Sequence, residues 1–481
     1  MAESEGSIQL AHGQSASSIL FEVLAAAVAH FPDALQDARL PAQQKAFRTD
    51  YPRCLPRFEA VRLASPERLK IASYLVALAR ARVVWRVEDQ DLPLKQLFDT
   101  PGDPLTLQAV QATPATGWSP SLVYRGKRWP AEALSDYADH LVSRNMITPA
   151  AGTALTWLHH NALTDGALRL DGRKIVVMGA NAEMAPTRSW LEAGASVLWL
   201  DVAAPPPEWT DPKNPIGNLQ WCPAGADLLR QPTEILSTIR AFAGKDPVDL
   251  ALYAYAPGQA REMRLTASMS EIINALPQAL INSITMLVSP TTPTQLGTQD
   301  LEMMQARRNK RPGWEAALDQ LGLLGGWGSE QYQSAATTRT VVDIQGASYQ
   351  AAQYLGKILT AECWANLGQP ESDKPMPLRV SANTAAITRT RSLDHPVFAA
   401  AFGGAAALGV ETFTPRQSRQ VNGLLAVHDW LHPAMPVPGQ MRVHGGIHTL
   451  PYPLSSALKV AAAIGFARSP RLLLRLISGS A

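Results

Sequence analysis

A glycine closes one apolar run of this sequence and an acid closes the next, a spacing that suits nucleotide chemistry. Residues 175–178 form a short β-branched run that reads as a buried parallel strand and breaks at Gly179. A helix-like segment, 187–193, precedes a second apolar run, 196–200, which ends at Asp201, 22 positions beyond Gly179. Strand, glycine turn, helix and strand within about thirty residues make a βαβ unit. Such a unit aims the first amides of its helix at the turn, where a pyrophosphate would sit. A carboxylate at position 201 can accept hydrogen bonds from an adenosine ribose. An ordinary turn followed by a solvated acid would carry the same residues.

Other chemistry-bearing residues read more plainly. His428 and His432 share one face of an expected helix, but Pro433 closes it and no third ligand is placed. His444 and His448 straddle a Gly-Gly turn, a poor template for fixed geometry, so structural histidines and no metal are expected. Arg307, Arg308, Lys310 and Arg311 could meet a phosphate-bearing substrate, such as a coenzyme A or carrier-protein thioester, or could line a solvated helix face.

The elements that must position these residues follow from composition and periodicity. At 481 residues and 46% hydrophobic content, the chain exceeds one ordinary domain and supports a large core. A net charge of +2 argues against a nucleic-acid partner. Cys54, Cys222 and Cys363 are odd in number and widely spaced, which points to a reducing compartment. Residues 1–14 lack a basic-then-apolar leader and no run is long enough for a transmembrane segment, so a cytoplasmic chain is expected.

Residues 1–16 read as a disordered tail, 17–165 as a mostly helical N-terminal domain, and 168–454 as alternating strand and helix. The last pattern predicts an α/β fold with a doubly wound parallel sheet, interrupted by a polar insertion at 296–340 and ending on a strand at 441–443. Residues 455–481 read as an amphipathic C-terminal helix that covers the substrate cleft or a neighbouring subunit.

Residues 168–450 resemble the short-chain dehydrogenase/reductase family in the order and spacing of several motifs. The turn Gly179-Ala-Asn181-Ala182-Glu183-Met184-Ala185 resembles its glycine motif, with Ala182 and Ala185 in glycine positions. Asp227 in Gly-Ala-Asp-Leu-Leu is similar to the aspartate that contacts adenine, and the run through Tyr253 and Ala254 to the end of the fourth strand. Ser289-Pro-Thr291-Thr resembles the end of the fifth strand, where the family keeps a catalytic serine, and Tyr349 begins what resembles the catalytic helix. The family places a lysine four positions after that tyrosine; here Gln353 stands there, and Lys357 lies four further on.

The resemblance implies a Rossmann-like domain that binds NAD, with NADP disfavoured because Asp201 would repel a 2′-phosphate. Gly179, Asn181, Ala182, Glu183, Met184, Asp201, Asp227, Tyr253 and Ala254 would hold the cofactor. Tyr349 would exchange the proton, Ser289 or Thr291 would position a carbonyl or alcohol substrate, and Gln353 would contact the nicotinamide ribose. It also implies a homo-oligomer acting on a small molecule. Tyr349 could instead be a core residue, and Ser289 and Thr291 turn residues. The missing lysine keeps two alternatives open: a redox-neutral lyase, dehydratase or isomerase, and a non-catalytic nucleotide-binding or scaffold protein.

Overall fold

The structure, a computed structural model, describes residues 6–111, 117–213, 216–258, 260–369, 375–390 and 395–477. Its centre is a seven-stranded sheet. In chain order the strands are β1 (Gln108–Val110), β2 (Lys174–Met178), β3 (Ser196–Leu200), β4 (Asn218–Trp221), β5 (Val248–Leu252), β6 (Ile281–Val288) and β7 (Val380–Thr384). Across the sheet they run β7-β6-β5-β2-β3-β4-β1. All neighbours are parallel except β1, which pairs antiparallel with β4. The fold is therefore mixed α/β with a mostly parallel sheet.

Strands covered on both faces need continuous apolar runs, and every residue of β5 is buried. The polar exception in β5 is partnered. Asp249 accepts from Arg173 Nε at 2.9 Å and from Ser283 Oγ at 2.7 Å, as a buried carboxylate must.

The sheet departs from the sequence reading at both edges. Residues 441–443 do not form its last strand. They run beside β7, where Gly439 N–H donates to Ala382 O, but Arg442 N–H turns to Thr384 Oγ1 and Val443 pairs with Ile147 instead. The seventh strand is β1, from a proline- and glycine-rich stretch. At the N-terminus, Ser7–Leu10 is not a disordered tail. It pairs antiparallel with Val83–Val87, so the stretch 66–88, whose apolar spacing predicts one helix, is helical only over Arg68–Arg80; residues 1–5 lie outside the described chain.

The helices Ala16–His30, Gln44–Ala64 and Arg68–Arg80 pack their apolar faces onto residues 347–367. Ile19, Leu20, Phe58 and Leu75 meet Ala351, Tyr354 and Leu355 in one core. Inside it, Arg62 is fully buried between Glu59 and Glu362, both at 2.7 Å. These helices back the 347–367 helix rather than covering the cleft described below, none of whose lining residues precedes Ala182.

The 347–367 helix is itself composite. It is α-helical over Ala347–Gln350 and Thr360–Leu367, and π-helical over Ala351–Leu359 between them. A π segment closes i→i+5 bonds and is rare, and such segments recur at functional sites. The segment 296–340 contains two helices, Thr298–Asn309 and Gly313–Gln320, and the hairpin Ser329–Tyr332/Ala335–Thr338. The C-terminal stretch forms two helices, Leu454–Arg468 and Pro470–Ile477, and the first packs against Pro396–Gly404.

Candidate functional site

A cavity of about 690 Å³ opens at the carboxyl ends of the parallel strands. Ala182, Glu183 and Met184 reach it from the turn after β2, Tyr253 from the end of β5, and Val288 and Ser289 from the end of β6. Tyr349, Gln353 and Lys357 enter at four-residue intervals from the composite helix, and Glu262 from the Arg261–Ala275 helix. Sheets of this kind gather ligands at such ends, because loops of successive units converge there.

The polar groups form one connected network. Tyr349 lines the same cavity as Ser289, whose side chain opposes the rise in the phenol's pKa. Ser289 Oγ lies 2.7 Å from Thr291 Oγ1, which donates to Gln345 Oε1 at 2.5 Å. Ser289 N–H donates to Gln353 Oε1 at 2.8 Å, and Gln353 Nε2 donates to Glu262 Oε1. Lys357 Nζ completes the chain, 3.4 Å from Glu262 Oε1 and 3.1 Å from Leu287 O. The Gln353 amide is thus engaged at both ends by protein groups, which leaves it poorly placed for the ribose contact expected of it.

Electrostatics keep the proton on Tyr349. Burial of the phenol, reinforced by the Glu262 carboxylate, raises its pKa well above the ordinary tyrosine value, and the Ser289 side chain opposes this. Burial also raises the Glu262 carboxyl, against the pull of Lys357 and Gln353. Glu262 and Lys357 were not singled out from sequence as site residues. The signal available was the four-residue spacing of Tyr349, Gln353 and Lys357 along one helix.

The cofactor-side residues divide. Ala182, Glu183, Met184 and Tyr253 line the cavity, whereas Gly179, Asn181, Asp201, Asp227 and Ala254 do not. Gly179 is required by packing: its φ is +83°, and a Cβ there would fall 2.3 Å from the Ala254 backbone. Asp201 holds the turn from the neighbouring strand. Its Oδ2 accepts from Asn181 N–H at 3.0 Å and its Oδ1 from Ala203 N–H at 3.1 Å. Asp227 Oδ1 accepts from Leu229 N–H at 2.8 Å in a local turn. The Thr187–Glu192 helix has only six residues, and Thr187 Oγ1 caps back onto Ala180 O.

The basic cluster serves the fold. Arg307 donates to Gly446 O and Leu408 O, while Arg308 and Arg311 both reach Asp319 Oδ2. These three guanidinium groups are engaged by protein acceptors, while Lys310 is exposed. His428 faces Asp429, His448 faces Asp300, and among the described residues no three His, Cys, Asp or Glu side chains converge as metal ligands. No family model matches the sequence, and no curated protein compared with it matches either.

Proposed function

We propose that this chain is an NAD-dependent oxidoreductase of the short-chain dehydrogenase type, acting on a carbonyl or alcohol. The strand order supports a Rossmann-like reading: β4-β3-β2-β5-β6-β7 is the order in which two βαβαβ halves meet at a switch point between β2 and β5. The observation that carries the proposal is the Ser289–Tyr349 hydroxyl pair, inside a cavity that reaches the turn after β2.

On this reading the nicotinamide would lie against Ala182, Glu183, Met184 and Tyr253, which line the same cavity as Ser289 and Tyr349. Held there, a dinucleotide would supply hydride chemistry, an electron pair and a proton together, at the substrate carbon. Ser289 orients the substrate oxygen, and Tyr349, protonated in the free chain, donates its proton to that oxygen in the direction of reduction. Lys357 is the cation of the site, and Glu262 holds it two polar positions along the helix from Tyr349.

Calorimetry with NADH and NADPH on the purified chain tests the reading. Binding of NADH in preference to NADPH, weakened in Asp201→Ala, is the expected result. Failure of both dinucleotides to bind would overturn it.

A second reading, a redox-neutral lyase, dehydratase or isomerase, is favoured by one observation. Gln353 occupies the expected lysine position and ties directly to a buried carboxyl, Glu262, whose raised pKa suits proton transfer.

A further inference from the structure

The cavity is larger than a carbonyl and its proton donor need, and the surplus is apolar. Two helices border that end. Phe398 and Phe402 stand one turn apart on Pro396–Gly404, with ring centroids 6.2 Å apart, and both line the cavity. Leu454 and Leu458 stand one turn apart on Leu454–Arg468 and line it too. Residues four apart share a helix face, so each helix presents an apolar pair to the same space. Beyond them a shallow depression of Asp343, Ile344, Val397, Leu458 and Lys459 shares Ile344 and Leu458 with the cavity and carries its floor outward. The two charged residues on that lip neutralise each other, with Lys459 Nζ 3.5 Å from Asp343 Oδ2.

We infer that this trough takes the hydrocarbon tail of the substrate, so that the substrate class is a secondary alcohol or ketone on an uncharged apolar chain. The head of that molecule rests on the oxidoreductase reading; the tail rests on the Phe398/Phe402 and Leu454/Leu458 walls alone. A short polar substrate would leave these side chains facing water. A charged group on the tail would be withdrawn from water between the Phe398/Phe402 and Leu454/Leu458 walls, whose side chains offer it no partner. Each methylene buried there should tighten binding about fourfold, from the transfer free energy of one CH₂.

Calorimetry of the full chain with butan-2-ol, hexan-2-ol, octan-2-ol and decan-2-ol tests this, each titration run with and without NADH. Affinity is expected to climb with each lengthening until the trough is full. In Leu458→Trp, which fills the trough, the climb should stop at a shorter chain. Affinity independent of length from butan-2-ol to decan-2-ol in the unaltered chain would overturn the inference. NADH binding with a flat length series would remove the tail site and leave the oxidoreductase reading standing. A steep length series without NADH binding would support the tail site and remove that reading.

Discussion

Lys357 Nζ lies 3.4 Å from Glu262 Oε1, and both side chains are at least nine-tenths buried in the wall of the cavity. Two charges withdrawn together from water hold each other in place, and neither can be removed alone without stranding its partner. Lys357→Met should therefore destabilise the chain by about 3–5 kcal/mol in urea unfolding. Adding Glu262→Gln should restore most of that loss. Equal instability of the single and double variants would show that the pair is not coupled.

Tyr349→Phe removes the proton donor and keeps the ring. Under the oxidoreductase reading, turnover of a carbonyl substrate should fall by about 10²- to 10⁴-fold, the usual contribution of a positioned acid. NADH affinity should hold. A variant as active as the parent would take Tyr349 out of the chemistry.

Much of the architecture was legible, for a physical reason. Strands buried on both faces must read as apolar runs, so β2, β3, β5 and β6 stand out in the sequence, and Thr148 with Pro149 marks the start of Pro149–Asn161. The Gln44–Ala64 helix went unseen because it carries Pro52 and Pro56, which ordinarily end helices. Strand β1 is three residues long among prolines and glycines, too short for periodicity to register. Within the site, Ser289, Thr291 and Tyr349 could be placed from motif spacing. Lys357 and Glu262 could not, because the family pattern names neither position and their pairing joins two helices far apart in the chain. By the family resemblance the loop after β7, residues 384–393, is the one expected to close over the substrate, and its residues 391–393 lie outside the described residues.

Gly179→Ala meets two penalties, a left-handed φ of +83° and backbone 2.3 Å from the new Cβ. Gly172→Ala meets only the first, since its φ is +78° and nothing lies within 4 Å. The strain shared by both costs about 1–3 kcal/mol. Urea midpoints should therefore rank Gly179→Ala well below Gly172→Ala, and similar midpoints would remove the close approach to Ala254 as the reason for this glycine.

His444 supplies a pH dependence of stability. Burial, together with His448 and Arg307, lowers its pKa well below the ordinary histidine value, and Nδ1 accepts from Gly446 N–H at 3.0 Å. The folded state thus binds this proton less readily than the unfolded chain. The contribution is complete above an unfolded pKa of about 6.5 and is lost as pH falls below it, by up to about 1.4 kcal/mol per pH unit. His444→Asn can keep the acceptor without the titration. Unfolding free energies measured between neutral and acid pH should fall less steeply in this variant than in the parent, and parallel slopes would exclude His444 as a source.

The carboxylate of Asp201 grips the amides of Asn181 and Ala203, so the bend after β2 is braced by its own chain. A loop prepared in this way does not have to be frozen by an incoming molecule, and association escapes that entropic toll. Its rigidity also narrows what can enter: a guest must suit a contour already cast, because the contour will not reshape itself around the guest.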